Sequence, residues 1–189
     1  LGLSVSATTV LTSLTSLGAL VAFAIAAKYL NRSIDSYRLA SIGALVGIAA
    51  FSCVIFSEPL LSPFLFRCGA FLIGLGGGLF SVSTLTAAMS LQSGGMNGLV
   101  LGAWGAVHAT ASGIGIASGG VIRDLISSLA SRGLLGEGLI SIATGYSFVY
   151  HIEFYLLFAT LIAIGPLVIS NKQPMMRGSR KFGLDELPS

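Results

Sequence analysis

Five stretches of this chain are each long enough to cross a bilayer, and they leave little sequence over for anything else. A spanning helix needs about 20 predominantly apolar residues. The runs 3–27, 39–57, 63–91, 98–122 and 146–170 all meet that length, with boundaries good to a few residues. Only 9% of the residues are charged, against about 25% in a soluble domain. Mean hydropathy is +0.91. Such a chain cannot cover itself with a water-compatible surface, and in lipid a helix satisfies its own backbone hydrogen bonds. The expected fold is an all-α membrane protein of about five transmembrane helices. Residues 1–170 form the bundle, with the lipid bilayer as its first partner, and 171–189 form a polar tail. Leu1 opens straight into apolar, Ser/Thr-rich sequence without a signal-peptide pattern, so the chain reads as a piece of something longer.

Lys and Arg set the orientation. The first connection holds Lys28, Arg32 and Arg38, and the tail holds Lys172, Arg177, Arg180 and Lys181. The opposite loops hold only Glu58, and Arg132 with Glu137. The tail is therefore expected on the cytoplasmic side. Ser57-Glu58-Pro59 and Ser62-Pro63 punctuate a tight outer turn. Residues 92–97 read as a short inner turn, and 127–145 as a longer outer segment, partly helical, lying at the interface.

Glycine is abundant, with 25 residues. The pairs Gly43/Gly47, Gly74/Gly78, Gly98/Gly102 and Gly115/Gly119 are each four apart, which places both members on one helix face and lets backbones approach closely. All four pairs point to a tightly packed bundle. Gly76-Gly77-Gly78 is a place where the third span can bend. In the first span Thr8, Thr12 and Thr15 share a face; their hydroxyls either line a hydrated cavity or bond back to their own helix. Cys53 and Cys68 form no metal pattern and read as buried free thiols.

Ionisable groups inside a membrane are functional candidates by default. Arg67 lies about 6 Å into the third span and Glu153 about 10 Å into the fifth, from the same side. Similar depth allows an Arg67–Glu153 pair; Arg67 snorkelling to the outer headgroups is the other arrangement. Arg123 and Asp124 close the fourth span and, as neighbours in sequence, are expected to brace different partners. His108 sits about 15 Å into the fourth span, near the midplane. Small residues flank it, and Trp104 lies one turn before on the same face. A neutral imidazole there either ligates a metal such as a chlorin magnesium or bonds to a Ser or Thr of another helix. His151 lies near the outer interface. No nucleophile elbow, HExxH or P-loop is present, so no enzyme activity is expected. Without a basic face interleaved with aromatics, no nucleic-acid partner is expected either.

The run from Gly98 through Ala103-Trp104-Gly105-Ala106-Val107-His108 to Gly113 resembles the PucC/LhaA family. So do Leu85-Thr-Ala-Ala-Met89, Gly119-Gly-Val-Ile-Arg-Asp124, Gly145-Tyr-Ser-Phe-Val-Tyr150, Leu156-Leu-Phe-Ala-Thr-Leu161 and Gly165-Pro-Leu-Val168. Gly2-Leu-Ser-Val-Ser-Ala-Thr-Thr9 is similar to the start of that family's eighth helix. The likeness covers essentially the whole chain.

The resemblance implies a major facilitator fold of twelve helices, with these five as helices eight to twelve and residues 1–170 as part of the C-terminal bundle. It implies assembly of light-harvesting complexes in a photosynthetic intracytoplasmic (bacterial inner) membrane. The implied cargo is (bacterio)chlorophyll. The implied partners are antenna polypeptides and pigment or pigment-synthesis proteins, and the protein is expected in a larger assembly or oligomer. His108 and Trp104 are then the expected pigment contacts. A secondary transporter of a small solute and a structural subunit of a membrane complex are the alternatives.

Overall fold

The computed structural model describes residues 5–30, 34–90, 97–141 and 143–170. They form five long helices: α1 (Val5–Leu30), α2 (Ser36–Ser57), α3 (Pro63–Ser90), α4 (Asn97–Ser131) and α5 (Ala143–Ser170). All five are long and apolar enough to cross a membrane, and no strand occurs among the described residues. The 92–97 turn, apart from Asn97, lies outside the described residues, as do Arg32 and the tail with its four cations.

Local chemistry explains most of the boundaries. Asp35 caps α2, its carboxylate accepting the Tyr37 amide at 2.8 Å, which satisfies one orphan donor of the first turn. The helix therefore begins at Ser36, three residues before the apolar run. At its other end the chain turns over residues 58–62, with Leu61 at φ 45°. Ser62 accepts the Leu65 amide at 3.3 Å, and Pro63 occupies the first position of α3, where its missing N–H costs nothing.

The fourth helix departs most from expectation. It continues nine residues beyond Ile122, so 127–131, the start of the segment expected to be partly helical, belongs to α4 itself. Its stop is a glycine cap: Gly133 adopts φ 72°, the Gly133 amide bonds to Ala130 O at 2.9 Å and the Leu134 amide to Leu129 O at 3.1 Å. That paired closure needs a left-handed residue, which glycine adopts without penalty. A single 3-10 turn, Glu137–Leu139, bridges to α5.

The bundle is organised around α3, which lies between α1 and α2. The glycines of α3 divide their duties. A Cβ at Gly74 would collide with the Thr15 backbone carbonyl, and one at Gly78 would come 2.7 Å from Ala22 Cβ, both on α1. A Cβ at Gly76 would come 2.8 Å from Gly43 O on α2, and Gly43 in turn faces Gly76 O at 2.8 Å. Gly77 points to neither neighbour and meets nothing within 4 Å. The triple glycine thus serves two helix contacts within one unbroken helix. A small core of Ala22, Ala26, Leu39 and Leu79 closes beside it. Ser83, fully buried on the same helix, has no hydrogen-bond partner for its hydroxyl among the described residues.

The other sequence features resolve accordingly. Gly43/Gly47 and Gly74/Gly78 are packing faces; a Cβ at Gly47 would come 3.1 Å from the Leu157 side chain of α5. Gly98, Gly102 and Gly115 have open space, and Gly119 is in ordinary contact with Val149 at 3.7 Å. The expectation that all four pairs are tightly packed therefore holds for only two of them. Thr12, Ser13 and Thr15 bond to carbonyls of their own helix, at 3.1, 3.0 and 3.0 Å. Cys53 and Cys68 are free, as expected, but half-buried rather than buried.

Over-packing a tight contact costs about 1–3 kcal/mol, whereas an added methyl in open space does not. Gly74→Ala is expected to lower the thermal stability of the detergent-solubilised protein. Gly113→Ala, where a Cβ meets nothing, is expected to leave it unchanged or slightly raise it. Equal melting temperatures for the two variants would refute the close α1–α3 contact.

Candidate functional site

Two polar constellations occupy α4, one at each of its contacts. The first faces α3. Trp104 and His108, one turn apart, stack with ring centroids 4.9 Å apart and planes 23° from parallel. The Trp104 indole N–H reaches Thr84 Oγ1 at 3.4 Å, and His108 Nε2 lies 3.4 Å from Ser81 Oγ. Both distances are long for hydrogen bonds, and the direction of the second follows the imidazole tautomer. The histidine therefore takes the arrangement in which a serine of another helix engages its ring nitrogen. A metal on Nε2 would displace Ser81. Trp104 covers one face of the imidazole.

The second constellation faces α5 and lies toward the end of the bundle that carries the Glu58 turn. Here α4 and α5 approach so closely that a Cβ at Gly145 would meet the Arg123 carbonyl at 2.5 Å. Beside this crossing runs a groove of about 650 Å³. Ser112, Gly115, Gly119, Gly120 and Arg123 of α4 form one wall, and Tyr146, Val149, Tyr150 and Glu153 of α5 the other. Each wall is a helix face: 146, 150 and 153 recur at i, i+4, i+7, and 112, 116, 119 and 123 at i, i+4, i+7, i+11.

This geometry corrects two expectations about the charges. Arg67 is exposed and makes no ion pair with Glu153; the fold puts Glu153 in the α4–α5 groove, with Arg123 at its far end. Arg123 and Asp124 do not brace different partners. The guanidinium bonds to the neighbouring carboxylate through Nε at 2.9 Å and Nη2 at 2.6 Å, the only ion pair among the described residues. A long, flexible arginine at an exposed helix surface can curl back onto the next residue, which backbone direction alone does not reveal. The same guanidinium donates to Tyr146 Oη at 3.1 Å and lies 5.2 Å above that ring's centroid.

Tyr146 and Tyr150 escaped the sequence reading, although their i, i+4, i+7 spacing with Glu153 marks one polar stripe on an apolar helix. Tyr150 is further held by Phe51 of α2, ring centroids 6.2 Å apart. Glu153 is half-buried, yet no hydrogen bond or ion pair to it forms among the described residues. His151 turns away from this groove, its Nδ1 2.7 Å from Ser147 O. It lines a separate pocket of about 390 Å³ with Glu58 and Leu139. No group of three or more metal-ligating side chains occurs among the described residues.

The molecule is thus a helical bundle of membrane-spanning character, with one polar constellation on each of the two contacts of α4. Comparison with known proteins places it more narrowly. The family model described as PUCC protein matches residues 1–172, and the chain belongs to that family. It is 45% identical to an uncharacterized protein of the puhA–bchM intergenic region of Rhodobacter capsulatus, over 100% of this chain and 40% of that protein. It is 39% identical to Protein PucC of Cereibacter sphaeroides, over 90% of this chain and 36% of the relative. It is 48% identical to Protein PucC of Rhodovulum sulfidophilum, over 67% and 28%. The chain thus spans less than half the length of these relatives. No solved structure matches it.

Trp104 is the single tryptophan of the chain and reports directly on its stacked neighbour. His108→Ala is expected to alter the intensity and position of tryptophan emission, whereas His151→Ala leaves both unchanged. An emission spectrum indifferent to His108 would contradict the stack.

Proposed function

We propose that this chain is part of a membrane assembly factor for photosynthetic light-harvesting complexes, one that binds (bacterio)chlorophyll and hands it to antenna polypeptides. The observation that carries the reading is membership of the PUCC family over residues 1–172. The shape of α4 supports it. Gly98, Gly102, Gly105, Gly113, Gly115 and Gly120 all have free space where a Cβ would stand. Helix faces without side chains suit flat rings and approaching helices, because both gain most from close van der Waals contact in lipid.

The reading extends to the surroundings. The protein sits in the bacterial inner or intracytoplasmic membrane with the basic tail in the cytoplasm, acts without catalysis, and adopts the C-terminal part of a major facilitator arrangement. A bound pigment would supply a magnesium that takes a donor side chain. Two fits to it exist on this chain: an open glycine floor, and donors of the right type in His108, Tyr150 and Glu153. Of these, His108 has its Nε2 nitrogen beside Ser81, so it joins the pigment only by giving up that contact. The solute-transporter alternative loses its main support, since the hydroxyls of Thr12 and Thr15 bond to their own helix.

Gentle purification of the full-length protein from a photosynthetic membrane, with its visible and near-infrared spectrum, tests the proposal. Chlorin absorbance together with co-purifying antenna polypeptides is the expected outcome. A colourless protein that moves a solute across liposomes would sink it.

A further inference from the structure

Glu153 is the half-buried carboxyl of the α4–α5 groove for which the described residues supply no donor, and it lies within an apolar span. A carboxylate in that position is costly unless something pairs with it. Arg123 shares the groove but is committed to Asp124 and Tyr146, so it offers Glu153 no charge. The partner has to come from outside the described residues.

What the groove accepts is set by its walls. On the α4 wall, a Cβ at Gly115 or Gly120 would meet nothing within 4 Å, so open floor lies beside the Ser112 and Ile116 side chains that share the wall. On the α5 wall Tyr150, steadied by Phe51, adds an apolar face and a second oxygen. At the far end the Tyr146 hydroxyl accepts from Arg123 and keeps its own proton to donate. The volume of about 650 Å³ lies within the range of ligand sites, roughly 300–1,000 Å³. The cleft therefore suits a flat, largely apolar molecule with a centre that seeks a hard oxygen ligand and a rim that accepts a hydrogen bond.

We propose that the α4–α5 groove, rather than the His108 face, is a pigment site of this chain, with Glu153 as the oxygen ligand to the magnesium of a (bacterio)chlorophyll. The proposal rests on the pigment reading above. Magnesium is a hard cation that prefers oxygen ligands, and the neutral macrocycle complex still accepts one along its axis. Tyr146 serves a peripheral carbonyl, and the open glycines of α4 receive the ring.

The test uses the full-length protein purified from a (bacterio)chlorophyll-producing membrane, with pigment per protein measured after extraction. Glu153→Leu removes the ligand. Gly115→Leu puts a side chain into the groove from a position whose Cβ meets nothing within 4 Å and replaces glycine by a better helix former, so a folded protein is expected. Both variants should lose roughly ten-fold or more of the bound pigment, the scale on which metal sites respond to lost ligand support. His108→Gln should keep it. Glu153→His restores an axial ligand and should regain pigment with a displaced absorption band, which a merely structural role for Glu153 would not produce. Size-exclusion profiles and thermal stability report folding in every case. Wild-type pigment in a folded Glu153→Leu or Gly115→Leu protein overturns the groove as the site. A wild-type protein without pigment overturns the pigment reading itself, which keeps the two failures apart.

Discussion

The backbone of α3 approaches α1 on one side and α2 on the other at distances that exclude a side chain, and the rest of the bundle is positioned from there. In lipid, apolar side chains gain little by leaving one apolar surrounding for another, so helices associate through close van der Waals contact. Gly74 and Gly78 turn one face of α3 to Thr15, Ala19 and Ala22; Gly76 turns another to Gly43 and Gly47. The order then propagates outward. Once α2 is fixed, Gly47 admits Leu157 and Phe51 meets Tyr150, which fixes α5. Once α5 is fixed, Gly145 brings α4 against it at Arg123 and Ser127. The groove is the last consequence of a series of glycine contacts that begins at α3.

The same residue type has the opposite use on α4. That helix touches α3 through Trp104 and His108 and touches α5 beyond Gly119, and none of the residues in its most apolar window is buried. Between its two contacts the glycines face open space. An unpacked glycine weakens a helix by roughly 0.5–1 kcal/mol relative to alanine, so a run of them without a neighbour brings no local benefit. A flat surface presented to something else makes sense of that cost. Arg123 does not make the groove an anion site, because its charge is already balanced by Asp124.

Much of this was legible in the residues. Length and hydropathy fix five spans, and the tight pairs Gly43/Gly47 and Gly74/Gly78 are correctly read as packing faces. The near-identical pairs Gly98/Gly102 and Gly115/Gly119 are not, because spacing marks a smooth face without saying whether a neighbour covers it. The end of α4 was misplaced because Arg123-Asp124 looked like a boundary, whereas two adjacent charges that neutralise each other can ride within a helix. The true stop was written in Arg132-Gly133, a glycine cap. The Arg67–Glu153 pairing failed for a different reason. Depth along a span follows from residue count, but azimuth depends on which helices are neighbours, and α5 turns Glu153 toward α4 rather than α3.

Two intramembrane groups competed as the seat of function, and their surroundings separate them. His108 is a ligand type that membrane proteins use widely, yet its Nε2 nitrogen has a serine beside it and its ring has an indole against it. One ring nitrogen and one ring face of this imidazole are thus already engaged within the fold. Glu153 has the opposite balance: an ionisable group in an apolar span, beside a smooth and open wall, with its nearest cation engaged elsewhere. A half-buried carboxyl in an apolar span, without a partner among the described residues, is costly for a helix bundle to carry. Where the described residues leave such a group unpaired, the missing interaction is the better guide to what the protein binds.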